Sequence, residues 1–582
     1  MSSGTGVEVG ALAARSRAAA VLRVKSAATA LAVLPAACAA VLWAGAAGGR
    51  LDGTGWDAAR LWVAVLAVLA LALAGATALL IARAAPAESP AVPVEERAAP
   101  ALYHLVRELA ERLGVPAPAA IALTPDCDSW LEERGAAPGV RAQVLVIGSP
   151  FLWWLRVAEL RALLAPVVAG TEPAAEPTTA QARRFVRGLD AALATAGPRA
   201  PLAHRVLLAV PARLARLLLV RCRSAAADME RYVAAACAER ARKVDYGRRI
   251  TAQEQVGLAY AGWDRLLGRV AVPAWRLGRW PARLDAGLAA ALAELSRRDR
   301  LAADEQAMRL TEPPASELLE ESELADEAAS LLAARLFHGE RGGQWRPVSW
   351  RDYPREVVER LWRADAARLG EVLGEEGRAH TVAHVLDEEG RSRAVAHVLE
   401  HLTVSDSPPE RVGVLAGLPV RGGGVRSAPR TAEYPARTEP ETEAEIFPET
   451  PEEEADRFAH PRAAALAAGL AARLAREETG EAGGAARTSE GVYDGDGGLP
   501  LFAPPPVRSG AEVLADHVTS LVCCAAVDAG GAVPGLDWLD GPVLLVDGER
   551  VRDLGARVRS LVEDGDSIPL RRWLARVGVR LG

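Results

Sequence analysis

The sequence predicts a mainly α (α+β) chain held in a membrane: two transmembrane helices, then a helical domain with a small sheet, and a small C-terminal α/β module. Three observations predict this. Two long uncharged apolar runs lie near the N-terminus, helical periodicity dominates the body, and short β-branched runs occur in only a few places.

Residues 1–26 form an N-terminal segment that carries Arg15, Arg17, Arg23 and Lys25. Residues 27–47 and 61–82 each come close to the ~20 apolar residues that a bilayer core requires, so 27–83 reads as a transmembrane hairpin. The loop between them holds Arg50, Asp52, Asp57 and Arg60 and has no basic excess. By the positive-inside rule, the N-terminus and the main body are expected on the cytoplasmic side of a multi-pass cell-membrane protein. Trp43 and Trp62 suit the interface belt at the far end of the hairpin.

The body is expected to begin with a Pro/Ala/Glu linker over 84–97. A helix over 99–113 follows, apolar on one face at Leu102, Leu105, Leu109 and Leu113, and Gly114 stops it. Strands are expected at Ala119–Leu123 and Val144–Ile147, and helices from 151 to 402, broken at Gly/Pro points. This divides into a domain over 84–340 and a helical extension over 341–403. Residues 404–510 are expected to be a disordered acidic and Pro-rich linker with one helix, over 461–477, because they lack apolar density. The module over 511–582 regains pattern: a helix at 511–527, a buried strand at Pro542–Val546, and amphipathic helices at 550–563 and 568–577.

At 582 residues the chain has ample apolar material for a core. Its formal net charge of −7 argues against a nucleic-acid partner, whose phosphates need a basic excess. Lys25 and Lys243 are the only lysines, the habit of an Ala/Arg-rich proteome. The lipid bilayer is the partner that the apolar runs demand. Six cysteines include no Cys-x-x-Cys pair; Cys523 and Cys524 read as buried free thiols.

One stretch carries a family resemblance. Ala158-Glu-Leu-Arg-Ala-Leu-Leu-Ala165 resembles the approach to the His-Glu-x-x-His helix of the HtpX and CAAX prenyl protease class of membrane zinc metallopeptidases. Where that class has His, Glu and His, this chain has Pro166, Val167 and Gly170. Ser224-Ala-Ala-Ala-Asp228 is similar to the class's Glu-x-x-Ala-Asp, with the third zinc ligand replaced by Ser224 and Asp228 kept. Thr311-Glu312-Pro313-Pro314 resembles its Thr-His-Pro-Pro element, with Glu for His. The resemblance covers about residues 85–330 and implies a degenerate metallopeptidase domain whose vestigial positions surround a common hollow. In intact members two His one turn apart and a later Glu hold zinc, and the first Glu is the base. Here no ligand or base remains, so the implied protein is a pseudopeptidase without cofactor that binds a membrane-protein client or a protein partner. Proline costs ~3 kcal/mol inside a helix, so this helix is expected to end or kink near Ala165.

Relocated chemistry has one candidate. His380 and His384 are one turn apart, as are His397 and His401, and His397-Val-Leu-Glu400-His401 spells the inverted zincin pattern. That is the alternative reading: an active zinc metallopeptidase with unusual ligands. A third reading is a structural membrane protein that recruits partners through its acidic tail. Asp516, His517 and Ser520 fall on one helix and lack the separate elements a triad needs.

Overall fold

The computed structural model describes residues 3–51, 53–84, 87–137, 140–195, 202–242, 244, 246–299, 312–339, 345–376, 388–403, 458, 461–485 and 508–581. The chain is mostly helical, with small sheets, and falls into two compact units. The first comprises Met1–Glu359 with Thr479–Pro504 and Pro534–Val543; the second comprises Arg360–Glu478, Pro505–Val533 and Leu544–Gly582.

In the first unit, α1 (Ser3–Ala47) is one unbroken helix of 45 residues that passes through Pro35. At ~1.5 Å per residue it is about 67 Å long, roughly twice a bilayer core. The basic N-terminal segment and the first apolar run are therefore one rod. A short turn reverses it into α2 (Thr54–Arg83). Along the apolar parts the largest side chains face outward: Leu31 is 71% exposed, Leu69 63% and Trp62 72%. Apolar surface on this scale along two long helices is the mark of membrane association. Arg60 lies over the Trp43 ring at 5.8 Å, joining the two helices at the hairpin's far end. A third helix long and apolar enough to span, Gly510–Asp528, is mostly buried within the protein, as a core helix is.

After a short strand β1 (Val92–Val94) comes α3 (Pro100–Leu113), ended by Gly114 in the left-handed conformation that glycine adopts without strain. Three strands follow: β2 (Ala120–Thr124), β3 (Ser129–Ala137) and β4 (Val140–Gly148). The sheet order is β1-β2-β4-β3; β2 and β4 run parallel, from Ala120↔Val144 to Thr124↔Gly148, and the outer pairs are antiparallel. Buried Tyr103 ties α3 to this sheet, its Oη donating to Val94 O at 2.8 Å and accepting from Ile121 N–H at 3.1 Å.

The chain then runs through α4 (Ser149–Trp154), α5 (Val157–Ala169), α6 (Thr171–Ala175), α7 (Pro177–Thr195) and the 40-residue α8 (Leu202–Ala241). α8 lies antiparallel along α1: a Cβ added to Gly10 would meet Ala236 at 3.2 Å, whereas Ala18 and Val21 share a core with Phe185 and Leu189 of α7 and Cys222 and Met229 of α8. Leu80 and Ala84 of α2 pack against Ala191, Ala192 and Leu208. Both transmembrane-type helices are thus fused to the body at their inner ends.

The first unit continues with α9 (Tyr246–Leu266), a π-helical turn, α10 (Val272–Arg276), β5 (Arg279–Pro281), α11 (Leu284–Asp299), α12 (Ser322–His338) and β6 (Arg346–Val348). β5 and β6 pair in parallel. Tyr353, fully buried, donates to Val270 O at 2.5 Å.

The second unit is built on α13 (Arg360–Glu376), α14 (Glu388–Leu402), α15 (Pro461–Ala485) as far as Glu478, and α16 (Gly510–Asp528). Of the C-terminal elements, β7 (Val533–Asp537) falls largely to the first unit and β8 (Gly541–Val546) is divided. β9 (Glu549–Arg550), α17 (Leu554–Asp564) and α18 (Ile568–Arg576) belong to the second. Ser509 caps α16: its hydroxyl accepts Glu512 N–H at 3.3 Å while the Glu512 carboxylate accepts Ser509 N–H at 3.0 Å. Asp547 and Gly548 take φ of 54° and 80°, the left-handed pair that a tight hairpin between β8 and β9 needs. Ala463, Leu466 and Leu470 of α15 are fully buried, so this helix contributes to the unit's core and does not stand alone in a linker. The acidic stretch 439–456 and the prolines at 504–506 of the expected linker lie outside the described residues.

Candidate functional site

The stretch that carries the resemblance is α5 with its neighbours. Its start is built locally: the Glu159 carboxylate reaches back to accept Arg156 N–H at 2.9 Å. Leu160, Leu164, Ala165 and Val168 are fully buried along one side. The expected break near Ala165 does not occur. α5 runs through Pro166 to Ala169, although proline leaves Ala162 O without its usual donor. Burial on both sides of the proline outweighs the local cost, because packing decides helix ends more strongly than propensity does.

Pro166, Val167 and Gly170 are half-buried on the remaining side of α5. A Cβ built on Gly170 would meet Val167 O at 2.9 Å, Leu131 Cδ1 at 3.3 Å and Cys237 Sγ at 4.0 Å. The residue of α8 that faces this position is therefore Cys237, not Ser224. Ser224 is exposed, and from residue 224 to residue 237 α8 rises by about 20 Å. Metal–ligand bonds are about 2 Å, so the hollow that the resemblance implies around Pro166, Gly170 and Ser224 is not formed. The donor set does not fit zinc either, since Ser224 alone has a polar side chain. Asp228 serves another purpose, pairing with Arg17 of α1 at 3.5 Å and with Arg231 one turn on.

Between α1, α6 and α8 there is a pocket of about 50 Å³, lined by Ala11, Ala14, Ala169, Pro173, Val233 and Cys237. Its volume suits a few water-sized molecules. Glu172 and Arg240 form an ion pair at its edge. Burial pushes the Cys237 thiol up to about 11, so near neutral pH it is protonated and packs as a small apolar group.

The third matched element does meet α5. Pro313 O accepts Val157 N–H at 3.2 Å, Ala315 N–H donates to Leu155 O at 2.9 Å, and Arg156 and Pro314 form an isolated bridge. Glu312, in the place of the class's His, pairs with Arg248 at 2.5 Å. Thr311 lies outside the described residues.

His397 and His401 stand together on α14, ring centroids 5.8 Å apart. His397 and Glu400 are exposed and His401 is half-buried, whereas Val395, Val398, Leu399 and Leu402 bury the opposite side. His380 and His384 lie outside the described residues. Among the described residues no three His, Cys, Asp or Glu side chains gather in a geometry that could hold a metal. Ser520 Oγ donates to Asp365 at 3.1 Å and His517 Nδ1 lies 2.8 Å from Val513 O, so Asp516, His517 and Ser520 make no relay.

Sequence reasoning missed a buried carboxyl cluster. Asp326 of α12 is wholly shielded and accepts Asp285 N–H at 3.1 and 3.3 Å. Arg283 grips Asp285 with two bonds, 3.0 and 2.8 Å, and Glu323 with a third at 2.6 Å. Burial, then the neighbouring Asp285, pushes the Asp326 carboxyl up to about 9. The available signal was period: Asp326 shares the buried stripe of Ala329, Ser330, Ala333 and Ala334.

Comparison of the chain with family models, with curated proteins and with solved structures finds no match.

Proposed function

We propose that this chain is a membrane-anchored binding or scaffolding protein without peptidase activity. Its two-span hairpin holds a helical body against the cytoplasmic leaflet, where the body engages a membrane-protein client or a protein partner. The observation that carries the reading is the continuous α1, which runs from the core of the first unit directly into an apolar span. A body fused in this way is fixed in height and rotation at the membrane, as a platform must be. Descent from the HtpX-like class is supported by the order of the sequence matches and by the contact of Pro313–Ala315 with the start of α5. The separation of Gly170 from Ser224 counts against a retained peptidase cleft, so the binding surface belongs elsewhere on the body.

The test uses the full chain purified in detergent. Zinc per chain is measured, together with cleavage of an unfolded fluorescent casein with and without chelator. The expectation is far less than one zinc per chain and no chelator-sensitive cleavage. One zinc per chain that disappears in His397→Ala, with cleavage lost alongside, would overturn the proposal in favour of the metallopeptidase reading.

A further inference from the structure

The 40-residue α8, which packs on both membrane-type helices, carries an uncovered mixed face. Leu208 of α8 packs with Leu80 and Ala84 at the inner end of α2; Ala215 and Cys222 pack with Ala18 and Val21 at the inner end of α1. Arg83 lies between the two α2 contacts, and Arg23 and Lys25 follow directly on those of α1; these are the basic residues that mark where the spans leave the apolar layer. The stretch of α8 between these two contacts therefore lies beside the inner ends of both spans, the part of the hairpin nearest the headgroups of the leaflet facing the body.

Its free side is neither purely polar nor purely apolar. Val210 is 55% exposed, Leu217 52% and Val220 62%, and Arg213, Arg216 and Arg221 are exposed among them. In water such valines and leucines are a liability. At the height fixed by the spans they meet acyl chains, while arginine stems follow the apolar surface and lift their guanidinium groups to phosphate oxygens. Guanidinium suits this task because its planar fork matches phosphate and keeps its charge at any relevant pH. Farther along the same helix, past Tyr232, the uncovered residues change to Ala234, Ala235 and Ala238, with no large apolar side chain and no arginine among them.

We propose that α8 from Val210 to Arg221 is an interfacial helix face that binds anionic phospholipid in the leaflet facing the body. The proposal rests on the membrane-anchored reading above and adds the lipid class and the residues. Arg213, Arg216 and Arg221 hold lipid phosphates and Val210, Leu217 and Val220 enter the outer acyl region, so the body is held at two places, by the hairpin and by α8.

The test is site-directed spin labelling of the full chain in vesicles of phosphatidylcholine, with and without phosphatidylglycerol. Cys38 and Cys127 are first replaced by serine, and labels are placed singly through Leu217→Cys, Val220→Cys, Ala234→Cys and Leu69→Cys. With phosphatidylglycerol present, labels at 217 and 220 should collide with lipid-dissolved oxygen and be shielded from a water-soluble nickel complex. The label at 234 should behave in the opposite way. Reversing charge with Arg213→Glu, Arg216→Glu and Arg221→Glu should raise nickel access at 220 by about fivefold or more, the factor expected from one arginine–headgroup attraction. Retained helix content and a lipid-buried label at 69 show that the variant folds and inserts. Labels at 217 and 220 as open to nickel as that at 234, with 69 still in lipid, would overturn this inference alone. Lipid contact indifferent both to phosphatidylglycerol and to charge reversal would overturn the anionic-lipid assignment. A label at 69 open to water would overturn the membrane-anchored reading, and this inference with it.

Discussion

Asp326 accepts the backbone N–H of Asp285 on both carboxyl oxygens, at 3.1 and 3.3 Å, while its own side chain is wholly shielded from solvent. Asp285 has the Arg283 guanidinium and stays charged, held below the ordinary range against its own burial by hydrogen bonds from Arg283 and Asp326. Asp326 lies 3.7 Å from Arg283 Nε and is pushed up to about 9 by burial first and by Asp285 second. The pair therefore holds one proton near neutral pH.

That proton has a stability consequence with a definite sign. In the unfolded chain Asp326 titrates at about 3.9. Between there and about 9 the folded state binds more protons than the unfolded one, so the contribution of Asp326 is full at low pH and is lost as pH rises through about 9. Asp285 has the opposite sign and loses its contribution only as pH falls through the acid range. Asp326→Asn, which cannot ionise, should therefore flatten the decline of thermal stability across the neutral-to-alkaline range. Melts of the two purified chains over a pH series check this; parallel slopes would count against a shared proton.

The features read best from the sequence are those in which local pattern and burial agree. The leucines at 102, 105, 109 and 113 share one buried face of a helix, and the parallel strands fall at Ala120–Thr124 and Val140–Gly148. β1 and β3 were not legible for a physical reason. Val92-Pro-Val94 lies in a stretch that reads as linker, and Ser129–Ala137 mixes Trp130 with Glu132, Glu133 and Arg134; each becomes a strand only by pairing with a distant partner. Glu133, placed on β3, is then held by Arg184 at 2.7 Å and Arg187 at 3.3 Å from α7, which no local pattern announces. The site was legible only as chemistry lost: Pro166, Val167 and Gly170 are plain in the sequence, whereas the residue facing Gly170 depends on the register of α8.

Tyr103 offers a second test. Its hydroxyl serves one buried carbonyl and one buried N–H, on neighbouring strands. Tyr103→Phe keeps the ring and removes both bonds, which should cost about 1–3 kcal/mol. Denaturant unfolding of the first unit, followed by tryptophan emission, should show the midpoint fall without change of slope.

Two glycines in the second unit should respond with opposite signs. A Cβ at Gly531 would collide with the Val577 carbonyl, a backbone atom that cannot yield cheaply. Gly531→Ala should therefore destabilise by about 1–3 kcal/mol. Gly555 sits in the first turn of α17 with open space around it, and Gly555→Ala should stabilise by up to about 1 kcal/mol. Melting temperatures of the two variants should straddle that of the parent.

The most direct prediction concerns restoration of the missing ligands. If the emptied positions of a zinc peptidase survive as a socket, Pro166→His, Gly170→His and Ser224→Glu together should rebuild it. The geometry here says otherwise. Gly170 faces Cys237, and Ser224 points to solvent about 20 Å farther along α8. A glutamate side chain reaches only a few ångströms from its Cα, and zinc tolerates little departure from about 2 Å bonds. The side chain introduced by Gly170→His would also be crowded by Val167 O and Leu131, at 2.9 and 3.3 Å from its Cβ. The triple variant should thus bind no stoichiometric zinc in equilibrium dialysis, and Ser224→Glu should add nothing to any weak affinity of the two histidines. One tightly held zinc per chain that depends on all three substitutions would place Ser224 beside Gly170, and α8 would then have to be shifted by nearly four turns from the register described.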